Sequence, residues 1–188
     1  MVTGTQTTGA TSAFLYYFYK GAKNQYIITA AEMTAQGYSA GLITSLGLQT
    51  GTIGNATMNN FTIEIGHTNL VTLPAVFQTG LQQVYTAPTY TLTANAINTF
   101  TFQTPFYWNG IDNIIVGLCR NNNVTNTSVN NFVYRSSGSS VYRYGDATDM
   151  CTAVSPTGGT SYGPYTSSIR PHTIFTLLGG CVDQREQV

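Results

Sequence analysis

Charge is the scarcest property of this 188-residue chain. Only 7% of its residues are Asp, Glu, Lys or Arg, and seven of each sign cancel to a net charge of zero. An ordinary soluble domain carries roughly 25%. With no basic patch to neutralise phosphates, the chain is not a nucleic-acid reader, and it has no polybasic segment for an anionic membrane surface. No apolar run reaches the roughly 18 residues of a membrane helix. The opening Met1-Val2-Thr3-Gly4 has neither a basic n-region nor an apolar h-region. No signal peptide is read there, and the start fits a segment of a longer exported chain. Cysteine is sparse too: Cys119, Cys151 and Cys181 form no C-x-x-C pair, and no His stands at zinc spacing, which argues against a metal site.

Hydroxyls and amides stand where charge is missing. Threonine alone is about one residue in six. Thr, Asn, Ser, Tyr and Gly rank low as helix formers, whereas Thr, Tyr, Phe, Val and Ile favour a pleated, half-buried surface. The composition therefore predicts an all-β domain. Its surface suits life outside the cell, so the expected localisation is extracellular or cell-surface.

Periodicity agrees. Leu42–Thr50, Phe61–Gly66 and Asn98–Gln103 alternate, with Phe61, Ile63 and Ile65 inward. Ile114–Cys119 is continuously apolar, as a central strand is. Thr29-Ala30-Ala31-Glu32 is a capping box opening one two-turn helix that Gly37 ends. Lys20–Asn24 and Met58-Asn59-Asn60 read as turns, and Pro88 reads as a break between Leu81–Thr86 and Tyr90–Thr93. Asn130–Tyr134 and Ser140–Tyr144 read as a hairpin around a Ser/Gly turn. Asp146–Ser168 reads as a long irregular stretch, and Pro171–Leu178 as the closing strand. About ten short strands with frequent turn signals predict an antiparallel β-sandwich, jelly-roll-like, with one short helix. The domain is expected to span 1–180, with 181–188 a charged linker toward a following domain.

Two of the three cysteines can pair in an exported chain. A Cys119–Cys151 bridge would staple the polar excursion between them, and three reduced thiols are the alternative. Cys181 lies past the last expected strand.

Several segments together resemble a module of large secreted and surface proteins of gliding Bacteroidetes-type bacteria, the cargo of type IX secretion. They are Ser12–Tyr19, Gln25–Met33, Gly41–Leu46, Asn60–Thr68, Thr99–Gly110, Asn113–Cys119, Cys151 and Arg170–Phe175. The tail Cys181–Val188 is similar to a linker that opens an immunoglobulin-like domain in such proteins. The resemblance implies a sandwich fold, export and a multi-domain setting. These modules accompany adhesins, proteases and polysaccharide-degrading enzymes, so it implies no single activity. Such modules often read Trp-Asp-Gly where this chain has Trp108-Asn109-Gly110.

Catalytic patterns are not found, and the expectation is a non-enzyme. His67 and His172 are the only imidazoles, and a lone His at a strand end is ordinarily a hydrogen-bonding residue. No Gly-x-Ser-x-Gly elbow occurs. Glycoside hydrolysis needs two facing carboxylates. Glu32 is committed to a cap, Asp112 to a turn, Asp183 and Glu186 to the tail, and Glu64 to the wet side of a strand. No cofactor is expected. Asp146 and Asp149 are the candidate calcium ligands, the alternative being two solvated loop acids. The sequons at Asn55, Asn60, Asn123 and Asn126 arise readily in an Asn/Thr-rich chain.

The 13 tyrosines, 9 phenylalanines and one tryptophan are the most suggestive supply. Flat rings stack on sugars while Asn, Gln and Thr bond hydroxyls. Tyr142 and Tyr144 are the ligand-binding candidates expected to be exposed. The reading is a non-catalytic adhesion or display module contacting surface polysaccharide or a partner protein. The alternatives are a filament or stalk subunit assembling through an unpaired N-terminal strand, Val2–Thr8, and an accessory domain of a secreted hydrolase.

Overall fold

Alternating apolar residues lay down ten strands and one helix in the computed structural model, which describes residues 7–9, 19–53, 57–122, 133–152 and 155–179. In chain order these are β1 (Thr7–Gly9), β2 (Gly21–Ile28), α1 (Ala30–Ala35), β3 (Gly41–Gln49), β4 (Thr57–Thr68), β5 (Gln82–Thr91), β6 (Ile97–Trp108), β7 (Asn113–Asn121), β8 (Val133–Gly145), β9 (Ser161–Pro171) and β10 (Thr173–Gly179). Every pairing is antiparallel. The expected all-β sandwich is therefore the fold.

The large sheet runs β9-β8-β2-β7-β4-β5, with β1 also on β8. Strand β8 is long enough that β1 pairs with Val133–Arg135 while β2 pairs with Ser140–Gly145. The small sheet is β10-β3-β6. Between the layers lie Tyr26, Ile28, Ile43, Leu46, Phe61, Ile63, Phe100, Trp108, Val116 and Phe175, all buried. Ring contacts of Phe100 with Phe61 and Tyr90, 5.0 and 4.7 Å between centroids, knit the two sheets. Each long side of the sandwich is closed differently. On one, the Gln103 side chain accepts from Thr86 N at 3.0 Å and donates to Thr86 O at 2.8 Å, so an amide of β6 imitates a strand neighbour for β5. On the other, β9 passes into β10 across His172, which is buried at the corner.

Arg170 anchors that corner. It is 2% exposed and donates to Ile27 O and both oxygens of Glu32. Glu32 also closes the capping box with Thr29, as the sequence predicts, and Gly37 follows the helix at φ 82°. The Glu32 carboxyl feels burial pushing it up. The Arg170 hydrogen bond, the Thr29 contacts and the Arg170 charge outweigh that, and they hold it below the usual carboxylate range.

Five local expectations are corrected. Lys20–Asn24 is not a turn from Gly21 onward but the start of β2, held between β8 and β7; long-range pairing overrides local turn chemistry. Met58–Asn60 lies inside β4, where Asn60 alone takes a positive φ of 48°. Pro88 does not break β5, because β5 pairs only with β4 and a missing N–H on an edge strand costs nothing. The Ser136–Gly138 turn is a bulge within β8 instead of a hairpin. A Cβ on Gly138 would lie 2.5 Å from Arg170 Nε, so glycine there leaves room for the buried guanidinium. Ser161–Ser168 belongs to β9, outside β8 at the sheet edge.

The outer face of the large sheet is covered as well. Residues 69–81 form a strap in which Leu70, Leu73, Phe77 and Leu81 pack on Ile27, Ile115 and Val141. Fully buried Gln25 clamps it, donating to Gln78 O at 2.8 Å and accepting from Gln78 N at 2.7 Å. Strand β7 is thereby buried on both faces, which is why Ile114–Cys119 is apolar without alternation.

Candidate functional site

Cys119, near the end of β7, is bonded to Cys151. This bridge pins the turn after β8 to the sheet. Buried Arg143 helps, its Nε and Nη2 donating to Met150 O at 3.0 and 2.6 Å, and Lys23 Nζ donates to Cys151 O at 2.8 Å. Both cations also lie 5.1–5.3 Å from the Phe77 ring of the strap. Burial lowers the pKa of each, with Glu64 pulling Lys23 back up and Arg143 pushing it further down.

Beside this turn the sheet gathers tyrosines. Tyr142 stands directly across from Tyr165 on β9, and Tyr144 from Tyr162; paired residues of an antiparallel ladder share a face. Tyr142 and Tyr144 stack with planes 12° apart and centroids at 6.4 Å. Tyr19, just before β2, lies 4.9 Å from Tyr144 and 5.4 Å from Tyr162. Five rings thus form one platform. Tyr142 and Tyr144 are half-buried in it, and the exposure expected of them belongs to Tyr162 and Tyr165, at 39% and 45%. Tyr19, Tyr162 and Tyr165 belong to the wider tyrosine supply of the sequence, but Asp146–Ser168 reads as irregular there, so the preference falls on Tyr142 and Tyr144. Across β8 from Tyr142 is Asn24, buried, with Oδ1 lacking any hydrogen-bond partner.

Next to Tyr19 and Tyr144 along the chain, Lys20, Asn121, Asn122, Asp146, Ala147 and Thr148 line an open polar cleft of about 150 Å³. Asp146 Oδ1 accepts from Lys20 N at 3.1 Å. Asp149 is exposed and does not line the cleft, so the two candidate calcium ligands are not brought together there. Among the described residues no three His, Cys, Asp or Glu side chains gather as a metal site.

The other candidates fall apart in space. His67 packs on Phe106 at 4.8 Å, and its Nε2 accepts from Asn109 N at 3.4 Å, while His172 is buried at the β9–β10 corner. Asn109 holds the β6–β7 turn: Oδ1 accepts from Ile111 N and Asp112 N, and Nδ2 donates to Asp112 Oδ2 at 2.7 Å. An Asp there would keep the two acceptors, lose the donor and face a second carboxylate. Thr7–Gly9 pair with β8, so this part of the N-terminal strand already has a neighbour on one edge. Cys181, the tail 181–188 and the sequons at Asn55, Asn123 and Asn126 lie outside the described residues. Among the described residues no helix is long and apolar enough to cross a membrane. No protein-family model, curated protein or solved structure matches this chain.

Proposed function

We propose that this chain is a non-catalytic adhesion or display module of an exported surface protein, of the kind carried by type IX secretion cargo, and that it contacts polysaccharide through its tyrosine platform. The observation that carries the reading is the single patch of five rings, with two of them well exposed on an edge strand of Ser, Thr and Gly. An aromatic face offers a flat apolar seat to a pyranose ring while each phenol still exchanges hydrogen bonds with its hydroxyls. The guanidinium beside Tyr19 is already engaged: Arg120 donates to Tyr19 O and Lys20 O. A disulfide supports an oxidising setting.

The test is binding to immobilised neutral polysaccharides (laminarin, xylan and galactomannan). Tyr162→Ala with Tyr165→Ala is expected to weaken the bound polymer about tenfold, about 1.4 kcal/mol, with unchanged melting temperature. Tyr142→Ala with Tyr144→Ala is expected to weaken it as well and also to lower the melting temperature, since those rings are half-buried. Binding to none of the three, or binding indifferent to both pairs, overturns the reading.

A further inference from the structure

The polar cleft beside the tyrosines has a chemistry of its own, and we infer that it seats the terminal sugar residue of a neutral glycan whose preceding residues lie on the platform. The inference rests on the platform reading above and adds to it a direction and an end.

The cleft is built from both kinds of hydrogen-bonding group. Asn122 is only 2% exposed yet lines the cleft. Its Oδ1 accepts from Asn59 N at 2.8 Å, which fixes the amide, and its Nδ2 has no acceptor among the described residues. Lys20 Nζ likewise has no partner there, and the Asp146 carboxylate receives only the Lys20 N–H. Asn121 donates to Thr148 O and keeps its Oδ1 as an acceptor. Residues that carry donors and residues that carry acceptors thus line one small volume. An anion would meet the Asp146 carboxylate and a cation would meet the Lys20 ammonium. A hydroxyl, which donates and accepts at once, suits both, and vicinal hydroxyls suit the set. At about 150 Å³ the cleft is well under the roughly 300–1,000 Å³ of a pocket for a larger ligand, so it fits an end group and not a chain.

The cleft and the platform are also one rigid piece. Tyr19 and Lys20 are consecutive, and buried Arg120 Nη1 donates to both of their carbonyls, at 3.3 and 3.1 Å. Tyr144 is two residues from Asp146, whose N–H donates at 2.8 Å to Thr160 O, two residues before Tyr162. The residues that line the cleft are therefore held on the same backbone segments that carry Tyr19, Tyr144 and Tyr162.

The experiment uses the same three polysaccharides, each intact and enzymatically shortened, as competitors in solution. End recognition predicts that shortening raises competition per unit mass, because it multiplies ends. Lys20→Ala and Asp146→Asn are each expected to weaken the oligosaccharides about tenfold and to leave intact polymer nearly unchanged. Asp146→Asn keeps an acceptor for Lys20 N, and Lys20→Ala removes an ammonium that holds no protein group, so the second decides if the first unfolds. If the tyrosine pairs weaken binding while both cleft variants leave the oligosaccharides untouched, the end-group inference falls and the platform reading stands. Equal weakening of polymer and oligosaccharide places an internal sugar in the cleft and also overturns it. Weakening by the cleft variants alone, with the tyrosine pairs silent, overturns the joint arrangement. Silence of every variant, or no binding at all, overturns both readings.

Discussion

A single carboxylate shows how few charges this molecule has and how closely they are used. Glu32 caps α1 and receives Arg170, so helix start and sheet corner share one ion. Its folded pKa lies below its ordinary value. The stabilisation it contributes is therefore fully present above the ordinary carboxylate range and is lost as pH falls through the lower folded value. Melting temperatures followed from roughly pH 6 to pH 3 are expected to drop in that window, and Glu32→Gln to flatten the drop. At neutral pH the same substitution is expected to cost about 2 kcal/mol by denaturant unfolding, because Arg170 stays buried with half its partners. A wild-type acid transition that the variant reproduces in full would assign the loss to other groups. Of this arrangement the capping box was legible in four consecutive residues; Arg170, 138 positions away, was not, because nothing local marks an arginine as buried.

At the scale of elements, the strap depends on Gln25. Gln25→Ala leaves Gln78 N and O without their clamp and a gap at a fully buried position, so a loss of about 2–3 kcal/mol is expected. Limited proteolysis is expected to cut first within residues 69–81, and a variant that resists cleavage there would show the strap is held by its leucines alone. The strand pattern of the core was readable wherever one face meets the interior, as at Phe61, Ile63 and Ile65. It failed at sheet edges. β5 carries Pro88, which reads as a break, and β9 carries Pro164 with Ser, Thr and Gly that read as loop, because an edge strand needs hydrogen-bond partners on one side only and can take any residue facing water. The tyrosine platform inherited that blindness: Tyr142 and Tyr144 were picked out by the strand that carries them, while Tyr162 and Tyr165 wait on register, which no local window contains. The strap was missed for a related reason, since residues 69–81 follow the shape of a sheet face and not a period.

For the whole molecule, the disulfide is the main constraint outside the core. It closes a loop of 32 residues between Cys119 and Cys151, and losing it is expected to cost about 4 kcal/mol in the chain-entropy account. Cys119→Ala with Cys151→Ala is expected to melt well below the parent protein, and reductant to shift the parent by the same amount. The substituted chain should also bind oligosaccharide less well, since the turn carrying Asp146 and Thr148 is held by that bridge. A pair of alanines that leaves melting unchanged would show that Arg143 and Lys23 secure the turn unaided. With so few ions on its surface the protein has little long-range field, and its attachments are expected to be nearly indifferent to salt.

Trp108 is the chain's one indole. It is fully buried at the end of β6, its Nε1 donating to Asp112 O at 2.8 Å, and it belongs to the small sheet, whereas the platform tyrosines stand on the large one. Nature has thereby separated two optical reporters. Emission from the shielded indole follows loosening of the interior, and near-ultraviolet dichroism of the clustered phenols follows occupancy of the surface, so ligand capture and unfolding can be watched independently in one unlabelled sample.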